Sequence, residues 1–454
     1  MADRANSVVP GGSDSFAFDH TPETDQAFEN ALAKARDGER LSIEDGVALI
    51  TTGADVAGID PERKERVLAA ADRRRADVVG EEVTFVANLN NNVTTACNTG
   101  CLFCNFKDTA ANFETGSETE EHAGFTKTTQ ESRETVRDAV ERGVSEVTSV
   151  SGLHPGLVLD NEHHEILGSF DSPASDVNYK PPEQYETPPS TYIEQMEAMS
   201  VGDVHLHSMT PEEAYHANRG TDRSYETLYR RLADAGLDSA PGTAAEILVD
   251  EVRDVICPGK IDSGEWVAAM EGAVAAGLPV TATMMYGHVE NERHRVKHLD
   301  RIRRLQDRTG AITEFVPLSF IHQQTPLYER GIVTGGASDA EDELLIAVSR
   351  LFLDNVEHIQ SSWVKFGDEK GLKLLNCGAD DFMGTILSEE ITKRAGGSYG
   401  EFRSFADYAE MISAIGRIPV ERSMDYEERR RIDFDADPIG PTLGPRADGT
   451  PLLS

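Results

Sequence analysis

The readable periodicity of the chain opens with two helical patterns after a polar, Gly/Asp-rich stretch over residues 1–28. The first spans about Thr24–Asp37, and the second starts at Pro61, a first-turn proline, and runs through Arg63–Val79. From residue 81 the pattern changes. Short β-branched or apolar runs occur at Val83–Ala87, Glu146–Ser151, Asp203–Ser208, Leu237–Ser239, Val280–Met285, Thr313–Leu318, His358–Trp363 and Leu375–Ala379. Between them lie helical spacings at Thr129–Arg142, Thr191–Met199, Tyr225–Ala235, Gly264–Ala276, Glu292–Arg308, Asp339–Leu353 and Asp368–Leu374, with a further helix near Ser388–Arg394. Strand–helix alternation repeated eight times predicts the α/β class and a (βα)8 barrel of the triosephosphate isomerase (TIM) type, with a doubly wound open sheet as the alternative. A site on such a barrel gathers at the C-terminal ends of the strands.

The expected organisation is a polar N-terminus and helical extension over 1–80, the barrel over 81–400, and a C-terminal extension of one helix and a charged, then Pro/Gly-rich tail over 401–454. Residues 157–190 break the rhythm. They are rich in Pro, Ser and acid and are read as a surface insertion over the site face.

Composition narrows the setting. No apolar run approaches the ~20 residues of a membrane helix, and the first residues lack the apolar core of a signal peptide, so a cytoplasmic protein is expected. Lys and Arg number 43 against 80 Asp and Glu, a net charge of −37 spread over the 454 residues. Such a surface repels nucleic acid and acidic membranes and argues against both as partners. Dispersed carboxylates with scarce Lys suit a halophilic cell, whose salt screens self-repulsion; an ordinary acidic cytosolic protein is the plainer alternative.

Five cysteines are too few for a disulfide framework, and three fall between positions 97 and 104. Cys97, Cys101 and Cys104 form C-x3-C-x2-C just after the first predicted strand. Three thiolates on one short loop suit three irons of a 4Fe–4S cluster and leave the fourth iron open. Zinc is the competing reading, but a closed zinc site wants four ligands and no fourth cysteine is near. Cys257 and Cys377 stand alone in the sequence and are expected to be small buried hydrophobes.

Other polar groups sit at strand ends. Ser151-Gly152-Leu153-His154 follows the second strand. His205 and His207 alternate onto one face of the third, either the lumen or the helix side. Glu246 follows a Pro-Gly turn after the fourth strand, where it is read as a ligand for a ribose hydroxyl or an ammonium, or as a helix-first-turn acid. Tyr286 and His288 end the fifth strand, where a polar substrate would bind.

The cysteine spacing, the aromatic Phe103 and their place after strand one resemble the radical S-adenosylmethionine (SAM) superfamily. That resemblance implies a 4Fe–4S cluster with SAM chelated to its open iron, Phe103 at the adenine, and Ser151, Gly152 and His154 in the turn that meets the SAM amino group. The segments LDSAPGTAAEIL, TATMMYGHVE, TEFVPLSF, QSSWVKFG, CGADDFMGT and GRIPVERSMDY are similar to the CofH/MqnC group, and within it to its tyrosine-using, deazaflavin-forming members. The resemblance implies a transferase that joins the 4-hydroxybenzyl group of L-tyrosine to 5-amino-6-(D-ribitylamino)uracil. It would release 2-iminoacetate, methionine and 5′-deoxyadenosine, with Glu246, His207, Tyr286 and His288 as catalytic candidates. It further implies a second, CofG-like radical SAM subunit and an electron donor such as a ferredoxin or flavodoxin. A dehypoxanthine futalosine cyclase, a non-catalytic iron–sulfur or zinc protein, and a plain barrel aldolase are the alternatives.

Overall fold

A computed structural model of the chain describes residues 25–52, 59–106, 125–163, 191–385, 404–427 and 429–432. Three helices come first: α1 (Asp25–Arg36), α2 (Ile43–Ile50) and α3 (Pro61–Val79). Ser42 and Asp45 form a reciprocal capping box on α2, and Asp60 accepts hydrogen bonds from the amides of Glu62 and Arg63 at the start of α3. Caps of this kind are each worth about 1 kcal/mol.

The barrel then begins. β1 (Glu82–Val86) and β2 (Asn88–Asn90) are two halves of one strand broken at Ala87. α4 (Thr129–Val140) leads to β3 (Glu146–Ser149), and α5 (Tyr192–Met199) to β4 (His205–Ser208). After α6 (Pro211–Asn218), α7 (Tyr225–Asp234), α8 (Asp250–Ile256) and α9 (Ser263–Ala275) comes β5 (Val280–Tyr286). α10 (Glu292–Thr309) and β6 (Ile312–Ser319) follow, then α11 (Pro326–Glu329), α12 (Asp339–Phe352) and β7 (His358–Ile359). α13 (Trp363–Phe366) and α14 (Asp368–Leu374) precede β8 (Asp381–Gly384). Beyond the barrel lie α15 (Phe405–Ala414), β9 (Ile418–Arg422) and β10 (Arg429–Arg431).

The ring closes. Parallel pairing links β2 to β3, β3 to β4, β5 to β6, β6 to β7 and β8 back to β1. The fourth position is held by parallel bridges from His207 to Ser239 and from Ala240 to Val280, and Gln360 bridges to Asp381. The fold is therefore the TIM-type barrel, and the open-sheet alternative is excluded. Along each strand the two faces divide cleanly. Val147, Leu206 and Phe315 turn outward into the helix layer and are fully buried there, while Glu146 and Glu314 turn into the lumen. Among the described residues no helix is long and apolar enough to cross a membrane.

The structure corrects several expectations. The apolar run Leu375–Ala379 is not a strand: it closes α14 and turns at Gly378, and the eighth strand is the more polar Asp381–Gly384. The sequence pattern misled there because the lumen face of β8 carries Asp381, a charged residue. The short α6 and α8 were not expected, nor was β9. Of the expected 157–190 insertion, Leu157, Val158 and Leu159 are buried rather than on the surface, and residues 164–190 lie outside the described residues. The helix expected near Ser388–Arg394, the extreme N-terminus and the tail after residue 432 also lie outside them.

β9 closes the floor of the barrel. It pairs in parallel with β1, Glu82 against Ile418 through Phe85 against Glu421, and carries Arg422 beneath the lumen. Three carboxylates from the N-terminal ends of barrel strands meet that guanidinium. Its Nε lies 2.7 Å from Asp381 Oδ2, and its two Nη atoms lie 3.3 Å from Glu314 Oε2 and 4.0 Å from Glu146 Oε2. The Tyr426 hydroxyl donates to Glu314 Oε2 at 2.8 Å, and its ring stacks on His358 at 3.7 Å. Burial pushes the Glu314 carboxyl up to about 7, against the pull of Arg422.

Two outcomes are expected. Arg422→Ala leaves three buried carboxylates without their cation and should cost about 3–5 kcal/mol in denaturant unfolding at molar salt, whereas Arg422→Met together with neutral Glu314→Gln and Asp381→Asn should recover much of it. Because the fold favours protonated Glu314, its contribution to stability is full below the ordinary carboxyl range near 4 and is lost as pH rises through about 7. Glu314→Gln should therefore flatten the dependence of the melting temperature on pH between about 5 and 8.

Candidate active site at the cysteine loop

The cysteine loop leaves the C-terminal end of β2, at the opposite end of the lumen from Arg422. It is stitched to the turn after β3. The Val93 amide donates to Ser151 Oγ at 2.7 Å, Gly152 N donates to Thr94 O at 2.8 Å, and Asn98 N donates to Leu153 O at 3.3 Å. A Cβ on Gly152 would come 2.4 Å from the Ala96 carbonyl oxygen, so only glycine allows this approach. On its other side the loop is held at Leu102, whose amide donates to Ile256 O at 2.8 Å and whose carbonyl accepts from Leu327 N at 2.9 Å.

Together these segments wall a cavity of about 240 Å³. Cys97, Cys101, Cys104, Phe103, Ser151, Gly152 and Glu246 all line it. Cys101 is buried and the other two thiols are half-buried. Burial pushes the Cys101 thiol up, and Lys260 opposes the shift. Among the described residues no three Cys, His, Asp or Glu side chains converge as the ligands of one ion do. The three loop thiols share the wall of this one cavity.

Glu246 stands on strained backbone. Its φ is +46° and that of Ala244 is +73°, left-handed values that cost roughly 1–3 kcal/mol each in residues with a Cβ. The bend is held because Glu246 O accepts from Met285 N at 2.7 Å and Gly242 lies so close to β5 that a Cβ would sit 2.2 Å from Thr281 O. The Glu246 carboxylate pairs with Lys260 Nζ at 2.6 Å, both almost out of solvent at 11% and 8% exposure. Glu246 is therefore a cavity-wall carboxylate, not a helix-capping one.

The other expected residues lie elsewhere. His154 is fully buried behind the turn: its Nδ1 accepts from Gly156 N at 3.0 Å and its carbonyl faces His216 Nε2 at 3.0 Å. Burial and Arg219 push it down to about 4. His207 pairs in register with Thr148 as His205 does with the lumen residue Glu146, so both histidines face the lumen. Ser239 Oγ joins them, 2.7 Å from His205 Nε2 and 2.7 Å from His207 Nδ1, and burial lowers His207 well below its usual range. It lies below the cavity, not on its wall. Tyr286 points away from the lumen. Its neighbour Met285 lines the cavity, so alternation sends Tyr286 outward, where its hydroxyl donates to Asp342 on α12 at 2.5 Å. His288 is also off the wall, with Nδ1 2.9 Å from Glu290 and its ring edge-on to the cavity residue Phe320.

Sequence reasoning missed Glu212, Glu213 and Lys260, all on the cavity wall. Thr210-Pro211-Glu212-Glu213 reads as a capping box with a first-turn proline, and Glu213 does cap α6. It also accepts from the Ser151 amide at 3.1 Å, and burial raises its carboxyl to about 7. Lys260 sits in a Cys-Pro-Gly-Lys turn with no periodicity. Their signal was position alone, after the third and fourth strands.

The chain matches the radical SAM superfamily over residues 91–302 and the CofH/MqnC C-terminal region over residues 309–433. It is 72% identical to the 5-amino-6-(D-ribitylamino)uracil–L-tyrosine 4-hydroxyphenyl transferase of Haloarcula marismortui, over 98% of each chain. Identity to the protein of the same name from Halobacterium salinarum is also 72%, over 96% of each chain. Both relatives are haloarchaeal, in keeping with the acidic composition. The solved structure of HydG, a maturase of the [FeFe]-hydrogenase, shares the fold, with a TM-score of 0.60 at 14% identity over 87% of this chain and 76% of HydG. The superfamily works with a 4Fe–4S cluster and SAM, and the cavity wall offers the thiols and the glycine cradle that such a pair needs. The chain belongs to the radical SAM superfamily and, within it, to the CofH/MqnC family, on the side of its ribitylaminouracil–tyrosine 4-hydroxyphenyl transferases.

Proposed function

We propose that the chain transfers the 4-hydroxybenzyl group of L-tyrosine to 5-amino-6-(D-ribitylamino)uracil, releasing 2-iminoacetate, methionine and 5′-deoxyadenosine, a step in making a deazaflavin coenzyme. The observation that carries this reading is one cavity at the C-terminal mouth that brings together the three loop cysteines, the Gly152 turn and Glu246, in a chain so close to the two haloarchaeal transferases. A 4Fe–4S cluster held by Cys97, Cys101 and Cys104 would supply the one-electron chemistry that cleaves the sulfonium of SAM.

The chain's own residues would do the rest. Phe103 offers a ring face and the Ser151–Gly152 backbone a cradle for SAM, and Glu246 an acceptor for its hydroxyl or ammonium groups. Below them His207, kept neutral by burial and held by Ser239, presents a hydrogen-bonding edge within a polar lumen suited to an aminouracil. The Arg422 floor leaves the mouth as the way in, which limits the water and stray hydrogen donors that would quench a radical. The electron would come from a ferredoxin- or flavodoxin-type donor, and the product would pass to a second, CofG-like radical SAM subunit in the cytoplasm.

Anaerobic reconstitution in molar salt, followed by mass spectrometry, tests the reading. With SAM, reductant and both substrates an adduct should form together with 5′-deoxyadenosine, and omitting tyrosine or the aminouracil should abolish it. Release of 5′-deoxyadenosine without adduct would defeat the substrate assignment and turn attention to futalosine-type substrates. Cys104→Ala should lose both the brown iron–sulfur absorbance and 5′-deoxyadenosine release. Because Tyr286 faces α12, Tyr286→Phe should keep product formation per folded enzyme within about twofold while losing roughly 1–2 kcal/mol of stability; a large loss of turnover at normal stability would return Tyr286 to the reaction.

A further inference from the structure

Lys260 stands where the cavity's carboxylates and the cysteine loop meet. Its loop is docked on the cysteine loop through the Leu102–Ile256 hydrogen bond, and Gly259 lies so near Gly100 that a Cβ there would be 3.6 Å from its amide nitrogen. From this support the ammonium reaches the Glu246 carboxylate at 2.6 Å and lies 5.8 Å from the centre of the Phe103 ring. Arg253 braces the same loop from behind, its guanidinium bound to the Ile261 carbonyl at 2.6 and 3.1 Å and to the Ala245 carbonyl. The lysine is 8% exposed, so it does not serve the surface.

We infer that Lys260 is a positioning residue of this reaction: it holds Glu246 on the cavity wall and places a fixed positive charge on the wall that the cysteine loop shares, 5.8 Å from the centre of the Phe103 ring. The inference rests on the radical SAM reading of the cavity. Two physical arguments support it. Glu246 occupies a left-handed backbone position on a buried wall, where a carboxylate without a cation would be costly. In addition, three thiolates around a cubane give a net negative site that grows more negative on reduction. A buried unit charge nearby favours the reduced form, since local charge and solvent exclusion set such potentials. The ion pair with Glu246 at 2.6 Å holds that charge in place on the cavity wall.

The test uses the full chain, reconstituted without oxygen at molar salt. Three quantities are read for the wild type, Lys260→Met, Lys260→Gln and Glu246→Gln: iron per chain, the midpoint potential from electron paramagnetic resonance, and SAM affinity from the change SAM makes in that spectrum. With iron content near wild type, Lys260→Met and Lys260→Gln should both move the potential to more negative values, which a lysine serving only to brace the loop would not do. SAM binding should weaken about tenfold in Lys260→Met, and the double variant with Glu246→Gln should be little worse than either single one, because the two side chains act as a unit. Lys260→Gln, which keeps a donor for Glu246, should bind SAM better than Lys260→Met. An unchanged potential in Lys260→Gln with full iron overturns the charge assignment, and additive losses in the double variant overturn the positioning. If the wild type itself fails to gain an iron–sulfur signal that responds to SAM, the fault lies with the cofactor reading and not with Lys260.

Discussion

The barrel depends on a charge that the barrel's own strands do not supply. Glu146, Glu314 and Asp381 enter the lumen from the N-terminal ends of β3, β6 and β8, and no barrel strand brings a cation to them. Arg422 comes from β9, beyond the ring, and can reach them only once β9 has paired with β1. Floor and ring are thus coupled. The acids of the ring find their cation on the extension, and the extension finds its sheet partner in β1. A buried cluster of this kind contributes little net energy when complete and costs several kcal/mol when its cation is missing. It therefore ties the C-terminal extension to the barrel at the end opposite the cysteine loop.

At the opposite end, around the cavity, the chain accepts backbone strain that β5 helps to hold. Ala244 and Glu246 occupy left-handed backbone, and Gly152 and Gly242 let backbone segments approach more closely than any side chain would permit. These features bring the ends of different strands into one small cavity. Precise placement there requires a rigid scaffold beneath, because a loop held at one end only would relax out of such conformations. The double clamp on Leu102 shows the same logic. Ile256 and Leu327 belong to the segments after the fourth and the sixth strand positions, and both hold the cysteine loop in place through the protein's own backbone.

The legibility of the sequence reflects this division. Helices with an apolar stripe and strands with an apolar outer face were legible, because burial against the helix layer imposes periodicity. The eighth strand was misplaced because its inner face is polar and its apolar neighbour, the Leu375 run, belongs to a helix end. β9 was missed because its meaning lies in Arg422, whose partners are more than a hundred positions away in two of three cases. In the site, the shared place of the three cysteines on the cavity wall followed from their spacing along one loop, which sequence preserves. Tyr286 was misjudged because its orientation depends on the phase of alternation along β5, fixed here by Met285. Lys260 was invisible because nothing local marks a lysine whose partners are brought to it by the barrel.

The acidic composition takes on a different meaning inside and outside the molecule. On the surface, carboxylates face water and are spread over the chain, so their mutual repulsion is screened by salt within a few ångströms. In the lumen and at the mouth, carboxylates are out of solvent and each is matched to a particular cation or donor: Glu314 and Asp381 to Arg422, Glu246 to Lys260, Glu213 to the Ser151 and Thr210 amides. Screening ions do not enter these sites. Salt can therefore govern whether the protein stays compact without changing how its interior charges are paired. The excess of 80 acids over 43 bases is in this sense governed by the surface, while the few acids that the fold has removed from it are fixed by their partners.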